Sequence, residues 1–355
     1  MKNNLNMLLN RPIFFERNRV FRVYKGGLLF NNLFNDKPED GNYPEEWIAS
    51  TVKALNKISN GPKEGISKIE DSYIYLDDLI AEHEQQILGS QKDIGILVKA
   101  LDSAVRLPVQ VHPDKDFSKK YFNSEYGKAE AWIVLDTRPG SCIYFGFEDN
   151  VTKQDLYTAV KNSESDKSAM EKLIIKHEVK KGDVYFIPAK AVHAIGYGCF
   201  ILEIQEPTDF TIQPEAWCDD YKLNDYEMYM GLDMDTALSC FDMNISGKEA
   251  INISKVKPVN ISEKKNVKIE SLIDRRNTDC FRVNRININR DSFLLKHAPS
   301  IYVVIEGNGI ISCEHSSRLV KKGDYFLLPY CLKSKCILSS NEKITVIESF
   351  KGETD

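Results

Sequence analysis

Lys180-Lys181-Gly182-Asp183-Val184-Tyr185-Phe186-Ile187-Pro188 reads as a tight Gly-Asp turn, a short apolar strand and a proline stop. The same phrase returns as Lys321-Lys322-Gly323-Asp324-Tyr325-Phe326-Leu327-Leu328-Pro329. A strand-turn-strand phrase used twice implies two related β units in one chain. The copies diverge after the proline. The first runs on through Ala189-Lys190-Ala191-Val192 to His193; the second continues Tyr330-Cys331-Leu332-Lys333, with no histidine at the matching place. Only the first copy is therefore equipped for chemistry. His297 and His315, in the second unit, are expected to be surface or packing residues.

Upstream of the first copy, Pro108-Val109-Gln110-Val111-His112-Pro113-Asp114 alternates apolar and polar residues as a short strand stopped by proline. Residues two apart on a strand share a face, so Gln110 and His112 project together, with Val109 and Val111 opposite. Taken alone, the simpler reading is a half-exposed strand with a surface histidine. Gly127 to Leu135 (GKAEAWIVL) is a second strand, on which Lys128 and Glu130 share a face. A carboxylate entering such an apolar run usually pairs with a nearby cation. Cys199 to Gln205 is a third, with Ile201, Glu203 and Gln205 on one side, so Glu203 is either buried with a partner or lining a site. One amide oxygen, two imidazoles and a carboxylate (Gln110, His112, His193 and Glu130) suit a borderline divalent cation, most simply Zn²⁺. Spacing does not establish that they converge, because His193 is remote in sequence.

The remainder of the chain supplies scaffold. Trp47 is a core anchor, Asp77 to Leu88 a helix carrying a solvated His83, and Ile94 to Asp102 a buried strand. Asp116 to Lys120 reads as a polar connection. Thr152 with Asp155 opens a helix in capping-box fashion, and Ser168 to Ile175 a second. Residues 215–245 are helical and irregular, and 246–270 lead to the second unit at about 275–349. The 355 residues suffice for two domains. A net charge of −5 without a basic block argues against nucleic acid or an anionic membrane as partner. No apolar run approaches the roughly 20 residues that span a bilayer. The N-terminus is too short in apolar residues and too Asn-rich for a signal peptide. The eight cysteines form no CxxC pair, which points to reduced thiols in a cytoplasmic protein rather than a disulfide framework.

Four phrases, QVHPDKDF, GKAEAW, PAKAVHAIGYG and the LEIQ strand, resemble in order the type I phosphomannose isomerases, especially the shorter bacterial form. Tyr24-Lys25-Gly26-Gly27 and the EEWIAS segment are a looser version of the same family's opening. The likeness is strongest over 94–213 and faint after 250. It implies a mainly β fold of two cupin (jelly-roll β-barrel) units with helical insertions: a catalytic unit at 1–250 and a degenerate one at 251–355. It also implies one Zn²⁺ per chain on Gln110, His112, Glu130 and His193. The implied reaction interconverts mannose 6-phosphate and fructose 6-phosphate through a cis-enediol(ate). The proton must be moved by a positioned base, for which Glu203 is the first candidate and Lys128 the second. Glu203 could instead serve only to orient His193. One residue departs from the family: where its active-site arginine stands, in a TTYR-like phrase twenty positions past the last histidine ligand, TDFTIQPE has Gln213. Glutamine keeps hydrogen bonding but loses the fixed charge and two-pronged grip on phosphate. Either activity is weak, or a cation such as Lys128 or Lys222 compensates. Two further readings remain: a metal-bearing cupin that binds a sugar or sugar phosphate without turnover, and an isomerase of another sugar phosphate.

Overall fold

The computed structural model describes residues 8–56, 61–264 and 266–352. Strand-forming runs pair into antiparallel sheets of two systems. In the first, the strand order is Lys255–Val256, Val184–Ile187, Glu130–Thr137, Cys199–Gln205, Leu97–Asp102, Glu45–Ile48 and Arg19–Val20. A smaller sheet of Ile174–Glu178, Cys142–Phe147 and His193–Ile195 packs on it, Ile143, Phe145 and Ile195 sharing a core with Trp132, Tyr185 and Ile201. In the second system the order is Ile13–Phe14, Tyr325–Leu328, Ser300–Cys313, Ile337–Lys351, Phe281–Leu294, Val267–Ile273 and Val259–Lys264, with Ser316–Lys321 also on Ser300–Cys313.

The two-residue period of a strand sorts side chains between two cores. On Cys199–Gln205, Phe200, Leu202 and Ile204 enter a core shared by both sheet systems, alongside Val98, Ala131, Ile301, Leu327 and Ile347. The alternate residues, Cys199 and Ile201, face the interior of the first unit, and Glu203 and Gln205 follow them on that side. Fully burying one such Leu or Phe contributes about 1.5–3 kcal/mol. A charge at Leu202 would therefore break the seam between the two systems.

The repeated phrase is repeated structure. Gly182 N–H donates to Val134 O (2.8 Å) and Val134 N–H to Asp183 O (2.9 Å); Gly323 and Asp324 make the same pair of bonds with Val304 (both 2.9 Å). Gly182 and Gly323 sit at φ of 92° and 90°, a conformation that a side chain disfavours, so glycine is required in both turns. The correspondence extends inward. Trp132 pairs in register with Glu203 and donates its indole N–H to that carboxylate at 3.1 Å; Tyr302 pairs with Glu348 and donates its hydroxyl to it. Ser300, opposite Leu328, occupies the place that Glu130 holds opposite Ile187. The second unit keeps the frame with a serine in the glutamate's place.

Several local expectations are corrected. Ser168 to Ile175 is not a helix: a single 3₁₀ turn at Glu171–Leu173 leads into the strand Ile174–Glu178, whose alternating burial suits a sheet edge. The connection after His112 is itself helical, Lys115–Phe122, because Asp114 caps it by accepting from Phe117 N–H (2.8 Å) and Phe117 is buried. Residues 259–273 are strands of the second sheet rather than a passage to it. Cys313 and Cys336 are joined in a disulfide, against the expectation of reduced thiols throughout; their Cα atoms lie 4.3 Å apart, Cys313 at the end of Ser300–Cys313 and Cys336 just before its sheet neighbour Ile337–Lys351. The capping box at Thr152 and the helix ending at Leu88 form as expected.

His315 is exposed, and half-exposed His297 stacks on Phe350 and reaches Glu348 at 3.1 Å. His297→Ala and His315→Ala should each leave metal content, measured by elemental analysis, unchanged. His297→Ala should also cost about 0.5–1.5 kcal/mol in stability, the net worth of one hydrogen bond, since buried Glu348 keeps its bonds from Asn284 and Tyr302.

Candidate active site

The segment carrying Gln110 and His112 is not a regular strand. It is held by isolated bridges, Gln110 to His193 and Val111 to Ile212. Alternation still operates, with Val109 and Val111 in a hydrophobic core and Gln110 and His112 on the other side. Glu130 opens its strand, and His193 follows a loop in which Lys190 takes a positive φ of 70° after the Pro188 stop.

These elements bring three ligating groups together. One ligand atom each from His112, Glu130 and His193 lies within 4.8 Å of the others, and all three residues are buried. His112 Nε2 is 3.1 Å from Glu130 Oε2, and His193 Nε2 is 3.5 Å from Glu130 Oε1. Gln110 joins them, its amide 3.3 Å from His193 Nε2. Turning that amide by 180° would present its oxygen instead. Both imidazoles are oriented from behind: His112 Nδ1 donates to Phe210 O (2.9 Å) and His193 Nδ1 to Ala191 O (2.8 Å). Each Nε2 is thereby left with its lone pair toward the cluster, as metal-binding histidines require.

The electrostatics suit a cation. Burial, reinforced by the Lys128 charge, pulls His112 down to about 3, and burial lowers His193 as well, so both are neutral ligands near pH 7. Burial pushes the Glu130 carboxyl up, but Lys128, His112 and His193 outweigh it and hold the group well below its ordinary range. Neither Glu130 oxygen, both fully buried, has a hydrogen-bond donor. A buried carboxylate satisfied only by charge is what a divalent ion would complete. The Lys128 ammonium meets part of that need, 3.1 Å from Glu130 Oε2 and 2.7 Å from His112 Nε2.

Gln110 and Lys128 line a cavity of about 170 Å³ shared with Glu203 and Gln213. His112, Glu130 and His193 lie deeper, outside its lining. Glu203 is buried and bound to the Trp132 indole. Burial and the Glu130 charge hold its carboxyl up at about 7, against Lys99 and Lys128. Gln213 is anchored by its backbone N–H to Met228 O (3.0 Å) and its amide N–H to Glu227 O (3.1 Å). Lys222 does not reach the cavity; it pairs with Glu164.

Sequence reading missed a cluster in the same wall. Arg22 contacts Glu45 at 3.0 Å and Asp209 at 2.9 Å, and Lys99 stands 3.3 Å from Glu203 and 3.8 Å from Glu45. All line the cavity. Lys99 carried a signal, a lysine inside the apolar run ILVKAL, which is rarely buried without a purpose. Nothing local marked Arg22 or Asp209.

Fold and site together define a cupin-fold protein with a buried candidate metal centre. A family model described as "Phosphomannose isomerase type I, catalytic domain" matches residues 26–144. Mannose-6-phosphate isomerase ManA of Bacillus subtilis is 32% identical over 92% of this chain and 95% of its own length. Mannose-6-phosphate isomerase of Streptococcus mutans is 27% identical over 91% and 94%. Among solved structures, mannose 6-phosphate isomerase of B. subtilis superimposes with a TM-score of 0.73 at 23% identity, covering 95% of this chain and 99% of that one. The apo form from Salmonella typhimurium gives 0.69 at 14% identity over 96% and 99%. The chain belongs to the type I phosphomannose isomerase family, a family of isomerases. Among the described residues, no helix is long and apolar enough to cross a membrane.

Proposed function

We propose that this protein interconverts mannose 6-phosphate and fructose 6-phosphate through a cis-enediol(ate), with residues 1–250 as the catalytic unit and 251–355 as its buttress. The observation that carries the reading is the adjacency of the buried His112, Glu130 and His193 cluster to a cavity holding Lys128 and Glu203, in a chain of this family. Gln110, His112, Glu130 and His193 would hold one divalent ion, Zn²⁺ by the chemistry of the donor set. That ion supplies Lewis acidity toward substrate oxygens. Glu203 takes the proton from the carbon next to the carbonyl and returns it to the neighbouring carbon. A carboxyl near 7 is matched to both halves of that task. Trp132 fixes its direction, and Lys128 stands ready to donate to a substrate oxygen.

The test is turnover of a sugar-phosphate panel by protein loaded with Zn²⁺. Aldose–ketose exchange on mannose 6-phosphate supports the reading. Exchange only on another sugar changes the substrate, and tight binding without exchange makes the protein a sugar-binding cupin.

Lys128 already brings a cation to the cavity, beside Arg22 and Lys99, which Glu45, Asp209 and Glu203 hold. Gln213→Arg is therefore expected to change kcat/KM on mannose 6-phosphate by less than the roughly ten- to hundredfold that a new charged hydrogen bond can supply. A gain within that range would show instead that Gln213 limits the enzyme.

A further inference from the structure

A second and much larger cavity, of about 880 Å³, lies between the two sheet systems. We propose that it binds a small phosphorylated anion, held between Lys181 of the first unit and Lys322 of the second. Such binding is independent of the reaction assigned to the catalytic cavity.

Both lysines occupy the same position in the repeated turn, directly before Gly182 and Gly323. Those turns are fixed by matching backbone bonds to Val134 and Val304, so each ammonium stem starts from a rigid base. The repeat, used once per unit, thus sets one cation on either side of a single cleft.

The charge balance leaves these cations available. The lining holds six Lys or Arg against four Asp or Glu, a net of +2 on a chain of −5. Lys268 and Arg285 both spend their charge on Glu270, at 3.0 and 2.8 Å, and Lys343 pairs with Glu306 at 2.8 Å. Lys181, Lys264 and Lys322 have no ion pair within 4 Å among the described residues. Asn287 accepts the Thr345 hydroxyl through Oδ1 at 3.0 Å, which leaves its two amide N–H donors for a bound group. Ammonium groups held in no close ion pair, together with amide donors, recognise phosphate oxygens. Each charge-assisted bond there is worth roughly ten- to hundredfold in affinity.

The test is calorimetric titration of the full-length protein with inorganic pyrophosphate, alongside Lys181→Ala/Lys322→Ala. Both residues are exposed, so the double variant should fold normally. The expected result is one pyrophosphate site that weakens at least tenfold in the double variant, with kcat/KM on mannose 6-phosphate unchanged within twofold. Lys172→Ala, an exposed lysine paired with Asp166, should leave binding intact. If the catalytic cavity also takes pyrophosphate, the double variant should lose one of two sites. No binding by the parent protein, or the same number and strength of sites in the double variant, overturns the proposal.

Discussion

Glu130→Gln is expected to abolish metal binding and to lower kcat/KM on mannose 6-phosphate by more than the roughly 10–100-fold typical of losing a group one step removed from a metal. The amide keeps the shape of the side chain and removes its charge, and Glu130 carries the only carboxylate of the cluster. The change has a second signature in metal-free protein. Lys128, buried and 3.1 Å from Glu130, would be left with its charge unpaired. Breaking a buried pair from one side costs about 3–5 kcal/mol, visible in a urea melt. Lys128→Met in the same background should recover part of that stability and none of the turnover. Metal retained by Glu130→Gln at full occupancy would remove Glu130 from the ligand set.

Glu203→Gln should lower kcat by roughly 10²–10⁴, the usual worth of a general base, while metal content stays full. The parent enzyme's rate should rise with pH as Glu203 ionises. Its acid limb should lie no higher than about 7, because a cation bound beside Glu130 offsets that carboxylate's repulsion. The limb should vanish in the variant. Stability should move in the opposite sense. The carboxyl is raised from 4.5 to about 7 on folding, so between those values the folded state keeps a proton that the unfolded chain gives up. This group's contribution is therefore full below 4.5 and is lost as pH rises through 7. The metal-free variant should lack that part of the dependence. A variant with unchanged kcat would leave Glu203 only an orienting role and pass the base to Lys128.

What the sequence could show depended on how local each signal was. Gln110 with His112, Lys128 with Glu130, and Glu203 with Gln205 were legible because a two-residue spacing alone puts each pair on one face. The repeated turn was legible because it recurs nearly letter for letter. Arg22 and Asp209 meet at 2.9 Å from positions 187 residues apart, and each looks like an ordinary surface charge in its own neighbourhood. The strand at Ile174–Glu178 was hidden for a different reason: its helix-compatible residues are recruited by the edge of Cys142–Phe147, a tertiary effect that outweighs weak local preference.

The strand Ile13–Phe14 carries a consequence for how the chain is made. Its partner is Tyr325–Leu328, and nearby Tyr325 donates its hydroxyl to Glu16 O across 309 residues. During synthesis one side of this segment can pair early, Phe14 O accepting from Glu70 N–H (3.0 Å), but its other edge stays open until Tyr325–Leu328 has left the ribosome. The catalytic unit's own strands can pair well before then. The growing chain should therefore pass through a stage with its metal-binding residues assembled and Ile13–Phe14 covered on one side only, a stage that proteolysis of stalled nascent chains would catch by a cut beside Ile13–Phe14 that disappears once Tyr325–Leu328 joins them.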